Sequence, residues 1–192
     1  VIPDQIYDRT KHRDLSFFGD GIVVHQPFTR PYSPKLADHL ADAAERALED
    51  LGSDSAVVDE GTYVCIEGPQ YSTKAESEFY KRQGWDLVGM TAIPEAKLAR
   101  EAEMAYATIA GVTDYDVWKQ DAEVTLEEVL ENAAANEEAI KETVQEAVRT
   151  FPEDMDCEAH GSLEGTINTP AEAVPEDTRE RVGIFVDRYL DD

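Results

Sequence analysis

Residues 62–76 read Thr62-Tyr63-Val64-Cys65-Ile66-Glu67-Gly68-Pro69-Gln70-Tyr71-Ser72-Thr73-Lys74-Ala75-Glu76. The first five are β-branched, aromatic or apolar, and Glu67-Gly68-Pro69 stops the run, which predicts a short strand. Thr73 with Glu76 three positions later has the pattern of a capping box, so a helix follows the strand's loop at once and runs to Gly84. A strand with polar residues beyond its carboxyl end, leading directly into a helix, is the repeating unit of an α/β fold.

Outward from this unit the alternation continues. Upstream, Ser33-Pro34 supplies an N-cap and a first-turn proline, and Leu36, Leu40, Ala44, Ala47, Leu48 and Leu51 recur at helical spacing before Gly52. Val57-Val58 predicts a further short strand, and residues 8–32, rich in turn formers and aromatics, an irregular surface excursion. Downstream, residues 86–90 predict a short strand, a helix runs from near Pro94 to about Glu103, and residues 106–113 form an apolar run of strand length. Thr125 with Glu128 heads a long helix that keeps Leu126, Val129, Leu130, Ala133, Ile140, Val144 and Val148 on one face. Residues 151–175 are loop-like, and a last helix covers about Glu176–Leu190. The polar clusters at Glu67, Met90-Thr91 and Asp114 all follow expected strand ends, the place where open α/β sheets bind ligands.

A chain of 192 residues is long enough to bury roughly two thirds of its unfolded surface in one core, so a single domain over residues 1–192 is the expectation. The 42 acidic against 17 basic residues leave a net charge of −25, dispersed over nearly every segment. An evenly acidic surface repels nucleic acid, and because the charge is not blocky it argues against a dedicated basic partner. Solubility explains it simply; adaptation to a salt-rich cytoplasm, where screening shortens like-charge repulsion, explains it more specifically. No run of about 18 apolar residues and no leader pattern occur, so neither a membrane span nor secretion is expected. Cys65 and Cys157 lack metal-ligand spacing and fit a reduced, cytoplasmic setting, with a disulfide the lesser alternative.

Thr113-Asp114-Tyr115-Asp116 sets two carboxylates just beyond a buried strand. Pointed into a cleft, one can meet the N7 of a purine while the other accepts from an exocyclic amino group. Negative charge collects on a purine ring as its glycosidic bond lengthens, and a carboxylic acid kept neutral by burial can donate to N7 and relieve it. Taken alone, the pair reads more simply as loop acids in an acid-rich chain.

Three co-linear motifs give the pair a context: Glu67-Gly68-Pro69-Gln70-Tyr71-Ser72, Met90-Thr91-Ala92-Ile93-Pro94-Glu95 and Thr113-Asp114-Tyr115-Asp116-Val117-Trp118. Together with Asp4-Gln5-Ile6-Tyr7-Asp8-Arg9-Thr10 they resemble the methylthioadenosine phosphorylase branch of the trimeric purine nucleoside phosphorylase family, from Val1 to about residue 150. In the tail, Glu164-Gly165-Thr166-Ile167-Asn168-Thr169-Pro170 is similar to the archaeal form. The resemblance implies a three-layer α/β fold, a central mixed sheet flanked by helices, of which this chain carries the C-terminal two thirds without the N-terminal strands. It implies phosphorolysis of 5'-methylthioadenosine to adenine and 5-methylthioribose 1-phosphate, with inorganic phosphate as co-substrate, no cofactor and no metal.

Residue by residue, the resemblance sets Met90 against the ribose, Thr91 on phosphate, Tyr71 and Ser72 by the base, and Asp114 and Asp116 as readers of adenine, whose amino group needs an acceptor. Leu126, Val129 and Leu130 match the thioether pocket, and His25 reaches a neighbouring subunit's site in a homotrimer. Met90 as a core thioether and His25 as a surface residue are the simpler readings of those positions. Glu95 fits a helix-dipole role. The family's other phosphate contacts, a glycine-rich loop, an arginine-histidine pair and a threonine-alanine turn, fall before Val1. Thr91 alone supplies too few donors for a dianion, so a purine-binding fragment without catalysis stays open, as does phosphorolysis of inosine or guanosine, which the two aspartates oppose.

Overall fold

The computed structural model describes residues 1–116 and 126–190. Among them, the elements run β1 (Gln5–Arg9), α1 (Pro34–Leu51), β2 (Thr62–Ile66), α2 (Lys74–Gln83), β3 (Leu87–Gly89), α3 (Ala92–Glu101), α4 (Leu126–Arg149) and α5 (Glu176–Leu190), with a 3-10 turn at Ala171–Ala173. β2 is the middle of a three-stranded sheet ordered β1–β2–β3. Both pairings are parallel, and the helices beside the sheet make the α/β fold that the sequence predicts.

Strand alternation makes the layers. Tyr63 and Cys65 face one side of β2 and pack with Ala92, Ile93 and Ala96 of α3. Val64 and Ile66 face the other and pack with Tyr80 of α2. A strand buried on both faces needs a helix on each, which is why β2 carries an unbroken apolar run. Tyr7 of β1 stacks on Trp85 with ring centroids 3.9 Å apart, closing the α2 side. α1 packs against α4, and the buried Glu146 carboxylate of α4 accepts from Arg46 of α1 at 2.9 Å and from Arg149 of its own helix at 2.5 Å. A second cluster, Ile22, Leu163, Val182 and Val186, joins the early excursion to α5.

The capping box of α2 forms as its sequence predicts: the Thr73 hydroxyl accepts from the Glu76 amide while the Glu76 carboxylate accepts from the Thr73 amide. Ser33 begins α1, but its side chain makes no cap hydrogen bond. Ile93 interrupts the first turn of α3 with extended dihedrals, as the residue before a proline prefers, so the regular helix starts at Pro94 as expected. The Thr125–Glu128 cap proposed for α4 lies outside the described residues. Both cysteines are free thiols.

Two expected strands are not strands. Val58 accepts from the Ile2 amide at 2.8 Å and Gly61 from the Asp4 and Gln5 amides at 3.2 and 3.3 Å, and residues 53–61 run as largely exposed coil into β2. The apolar run 106–113 is likewise without regular structure. Its backbone is held by a reciprocal pair between Val1 and Ala110, a bond from the Ser33 amide to the Tyr106 carbonyl, and the side-chain amides of Asn132 and Asn136 on α4 donating to the carbonyls of Thr113 and Val112 at 2.6 and 2.9 Å. These are separate anchors on three different segments rather than the repeating register of a ladder. Apolar character marked the run as an interior-facing segment; hydrogen-bond register is what makes a strand.

Candidate active site

The parallel register sets the ends of β2 and β3 side by side, and Arg13 from the excursion closes them together. Its guanidinium donates to the carbonyls of Ile66, the last residue of β2, and Glu67 at 3.1 and 2.9 Å, and to those of Met90 and Ile93 after β3, at 2.6 Å for Met90. The Glu67 carboxylate lies 3.6 Å from Arg13 Nε and accepts from the Lys11 and His12 amides. Those amides, the Lys11 amide first, with Arg13 beside them, hold its carboxyl below the ordinary glutamate value. Glu67 is therefore an anchor for the excursion. Gly68 sits at φ +71°, and a Cβ there would come 2.7 Å from the Met90 sulfur, so glycine is what lets the two strand ends meet.

Met90 packs with Val64, Ile66 and Tyr80 on the α2 side of the sheet. Thr91, exposed, is the first position before α3. It meets Tyr63 from the opposite side: the Tyr63 hydroxyl is 3.3 Å from Thr91 Oγ1 and accepts from the Thr91 amide at 3.4 Å. Ser72 Oγ is buried without a hydrogen-bond partner among the described residues, and Tyr71 beside it is 88% exposed. Glu95 accepts from the Tyr106 hydroxyl at 2.9 Å, and burial together with this neighbour pushes the Tyr106 phenol up to about 12.

Asp114 and Asp116 form a separate group. Asp114 accepts from the Thr113 hydroxyl at 2.7 Å and the Asp116 amide at 2.9 Å, and Asp116 holds a left-handed φ of 51°. Asp114 is exposed. Among the described residues no hydrogen bond joins either aspartate to Tyr71, Ser72, Met90 or Thr91. Val129 is half-buried and Leu130 60% exposed on α4; the Leu126 side chain lies outside the described residues. His25 is exposed on a segment pinned to the tail by an antiparallel bridge between Val24 and Ile167 and by its own amide donating to the Thr166 carbonyl at 2.9 Å. Among the described residues no cluster of three or more His, Cys, Asp or Glu side chains is arranged to hold a metal ion.

Sequence reading thus located the strand-end motifs but passed over Arg13 and Tyr63. Arg13 is a basic residue in a turn-rich segment, and nothing local marks it as the partner of carbonyls 53 to 80 positions away. Tyr63 reads as an ordinary strand aromatic until the register with β3 is known.

A parallel sheet with helices on both faces and its polar groups gathered beyond the strand ends is an architecture shared by many enzymes; here the family is defined. Residues 1–149 match the Phosphorylase superfamily, and the chain belongs to it. Within that family it is 43% identical over 99% of its length to the S-methyl-5'-thioadenosine phosphorylase of Koribacter versatilis, and 47% identical over 98% to that of Chloroflexus aurantiacus. It spans 63% and 64% of those proteins, so it matches less than two thirds of their length. Among solved structures, a methylthioadenosine phosphorylase from an antarctic soil metagenomic library superposes with a TM-score of 0.78 at 40% identity, covering 96% of this chain and 64% of that one. The Schistosoma mansoni methylthioadenosine phosphorylase in complex with adenine gives 0.72 at 32% identity, covering 80% and 59%.

Proposed function

We propose that the chain carries the purine and ribose side of an enzyme that splits 5'-methylthioadenosine with inorganic phosphate, giving adenine and 5-methylthioribose 1-phosphate. The observation that carries this reading is the meeting of Gly68 with Met90 at the ends of β2 and β3, in a chain that aligns over 99% and 98% of its own length with 63% and 64% of two S-methyl-5'-thioadenosine phosphorylases. Met90 then backs the ribose, Thr91 contributes a phosphate contact, and Tyr71 and Ser72 border the base. Asp114 supplies the proton or hydrogen bond that lets adenine leave while phosphate attacks the anomeric carbon, and Asp116 accepts from the amino group. Val129 and Leu130, with Leu126, suit the thioether, and His25 belongs to a neighbouring subunit's site in a cytoplasmic homotrimer.

The exposure of Asp114 fits this reading when the base and adjacent protein surface cover it on binding, since catalytic hydrogen bonds often tighten only in the complex. Adenine release from methylthioadenosine, measured with and without phosphate, is the test. Phosphate-dependent release supports the assignment. Adenine binding without phosphate-dependent release would favour a purine-binding chain lacking the chemistry, a reading supported by Thr91 being the one phosphate contact assigned to this length of sequence.

A further inference from the structure

We propose that Tyr63 is a positioning residue for phosphate, acting by fixing which way the Thr91 hydroxyl points. This rests on the phosphorolysis reading and adds to it the residue that aims the anion contact.

The register of the sheet makes the contact possible. Tyr63 pairs with Leu87 and Cys65 with Gly89, so the Tyr63 side chain, lying along the α3 face, crosses Gly89 on its way to Thr91. A Cβ on Gly89 would collide with the Tyr63 hydroxyl; a side chain at position 89 would close this route. The ring itself is 5% exposed and packed with Cys65, Ala92, Ile93 and Ala96, so the hydroxyl is delivered by a rigid stem.

The anion then selects the direction. The Thr91 amide can only donate, and it donates to the Tyr63 oxygen at 3.4 Å. The two hydroxyls stand 3.3 Å apart and either can give the proton; once Thr91 turns its own proton to an anion, the tyrosine proton is the one left to fill the Oγ1 lone pair. With that lone pair occupied and its amide engaged, Thr91 presents to the exposed side the proton of its own hydroxyl, polarised by the bond it accepts. Of the two groups through which Thr91 can hold phosphate, the amide is committed to Tyr63 and the hydroxyl is the one set to donate to an anion.

The test is steady-state kinetics of the full chain with methylthioadenosine and varied inorganic phosphate. Tyr63→Phe keeps the ring and removes the hydroxyl; it should raise the phosphate KM roughly five- to twentyfold, the loss of one modest hydrogen bond, with the methylthioadenosine KM and Tm unchanged. In a Thr91→Val background the same substitution should have no further effect, because the group it orients is gone. Gly89→Ala, which displaces the tyrosine hydroxyl without altering Tyr63, should reproduce the phosphate-specific shift. A parent active with phosphate and a Tyr63→Phe phosphate KM within about twofold of it, or an equal effect in both Thr91 backgrounds, overturns the positioning role alone. A parent without phosphate-dependent release overturns the phosphorolysis reading, and this inference with it.

Discussion

Arg13 donates to the Met90 carbonyl oxygen at 2.6 Å across 77 positions of chain, and the same guanidinium reaches the carbonyls of Ile66 and Glu67. One side chain therefore sets the separation between the ends of β2 and β3. Arg13→Ala should destabilise by about 2–4 kcal/mol, since charge-assisted bonds to several partly buried carbonyls are lost together. Arg13→Lys keeps the charge but not the planar fork, and should recover less than half of the loss. Urea unfolding of the three proteins decides it, and a lysine variant as stable as the parent would show that charge, not geometry, holds the strand ends.

Gly68→Ala sets a methyl group against the Met90 sulfur at a left-handed backbone position, costing about 1–2 kcal/mol from the backbone alone. Met90 must shift as well. On the proposed reading, the methylthioadenosine KM rises more than the phosphate KM, because Met90 backs the sugar. A Gly68→Ala/Met90→Ala double variant should relieve part of the defect in stability, which thermal unfolding will show.

Asp114→Asn and Asp116→Asn test the base readers. Asparagine tolerates the left-handed conformation at position 116, and Asp114 is exposed, so the change in stability should stay within about 0.5 kcal/mol. On the proposed mechanism kcat/KM for methylthioadenosine should nevertheless fall by about a hundredfold or more. Activity within a few fold of the parent in both variants would return the pair to the status of loop acids.

Acid lability should concentrate at Asp8. Burial pushes its carboxyl up, but the Lys97 ammonium at 2.5 Å and the Thr10 hydroxyl and amide outweigh that and hold it below its ordinary value. A carboxyl depressed in the folded state contributes stability above its unfolded pKa of about 3.9, and that contribution disappears as pH falls through the lower folded value. Glu67, depressed by the Lys11 and His12 amides and by Arg13, adds to the same window. Thermal unfolding should be steep in pH below about 4, and flatter in Lys97→Met, which starts less stable at neutral pH. An unchanged slope would remove Asp8 from the account.

Salt should act in the opposite sense to its usual effect on ion pairs. With 42 acidic and 17 basic residues spread over the chain, repulsion exceeds attraction, and screening it should raise Tm between roughly 0.1 and 1 M potassium chloride. A falling Tm would mean that pairs such as Asp8–Lys97 outweigh the net charge.

Local rules settled much of this molecule. Helices α1, α2 and α5, the Thr73–Glu76 cap and the stop after Ile66 follow from spacing, caps and turn residues, interactions confined to a few neighbouring positions. The motifs at Glu67, Met90-Thr91 and Asp114 were legible as polar groups after apolar runs. What only the tertiary structure decided is how distant segments meet: that residues 106–113 are anchored coil rather than a strand, that Arg13 closes two strand ends, and that Tyr63 passes Gly89 to reach Thr91. Each depends on a register or on backbone carbonyls, which every residue carries alike, so no residue type announces them. Hydrophobic periodicity marks the buried face of α1, where Ala44 and Ala47 are covered, but in α4 Thr143, Glu146 and Ala147 are buried while Val144 and Val148 are exposed, because the covered face is fixed by packing between segments far apart in the chain.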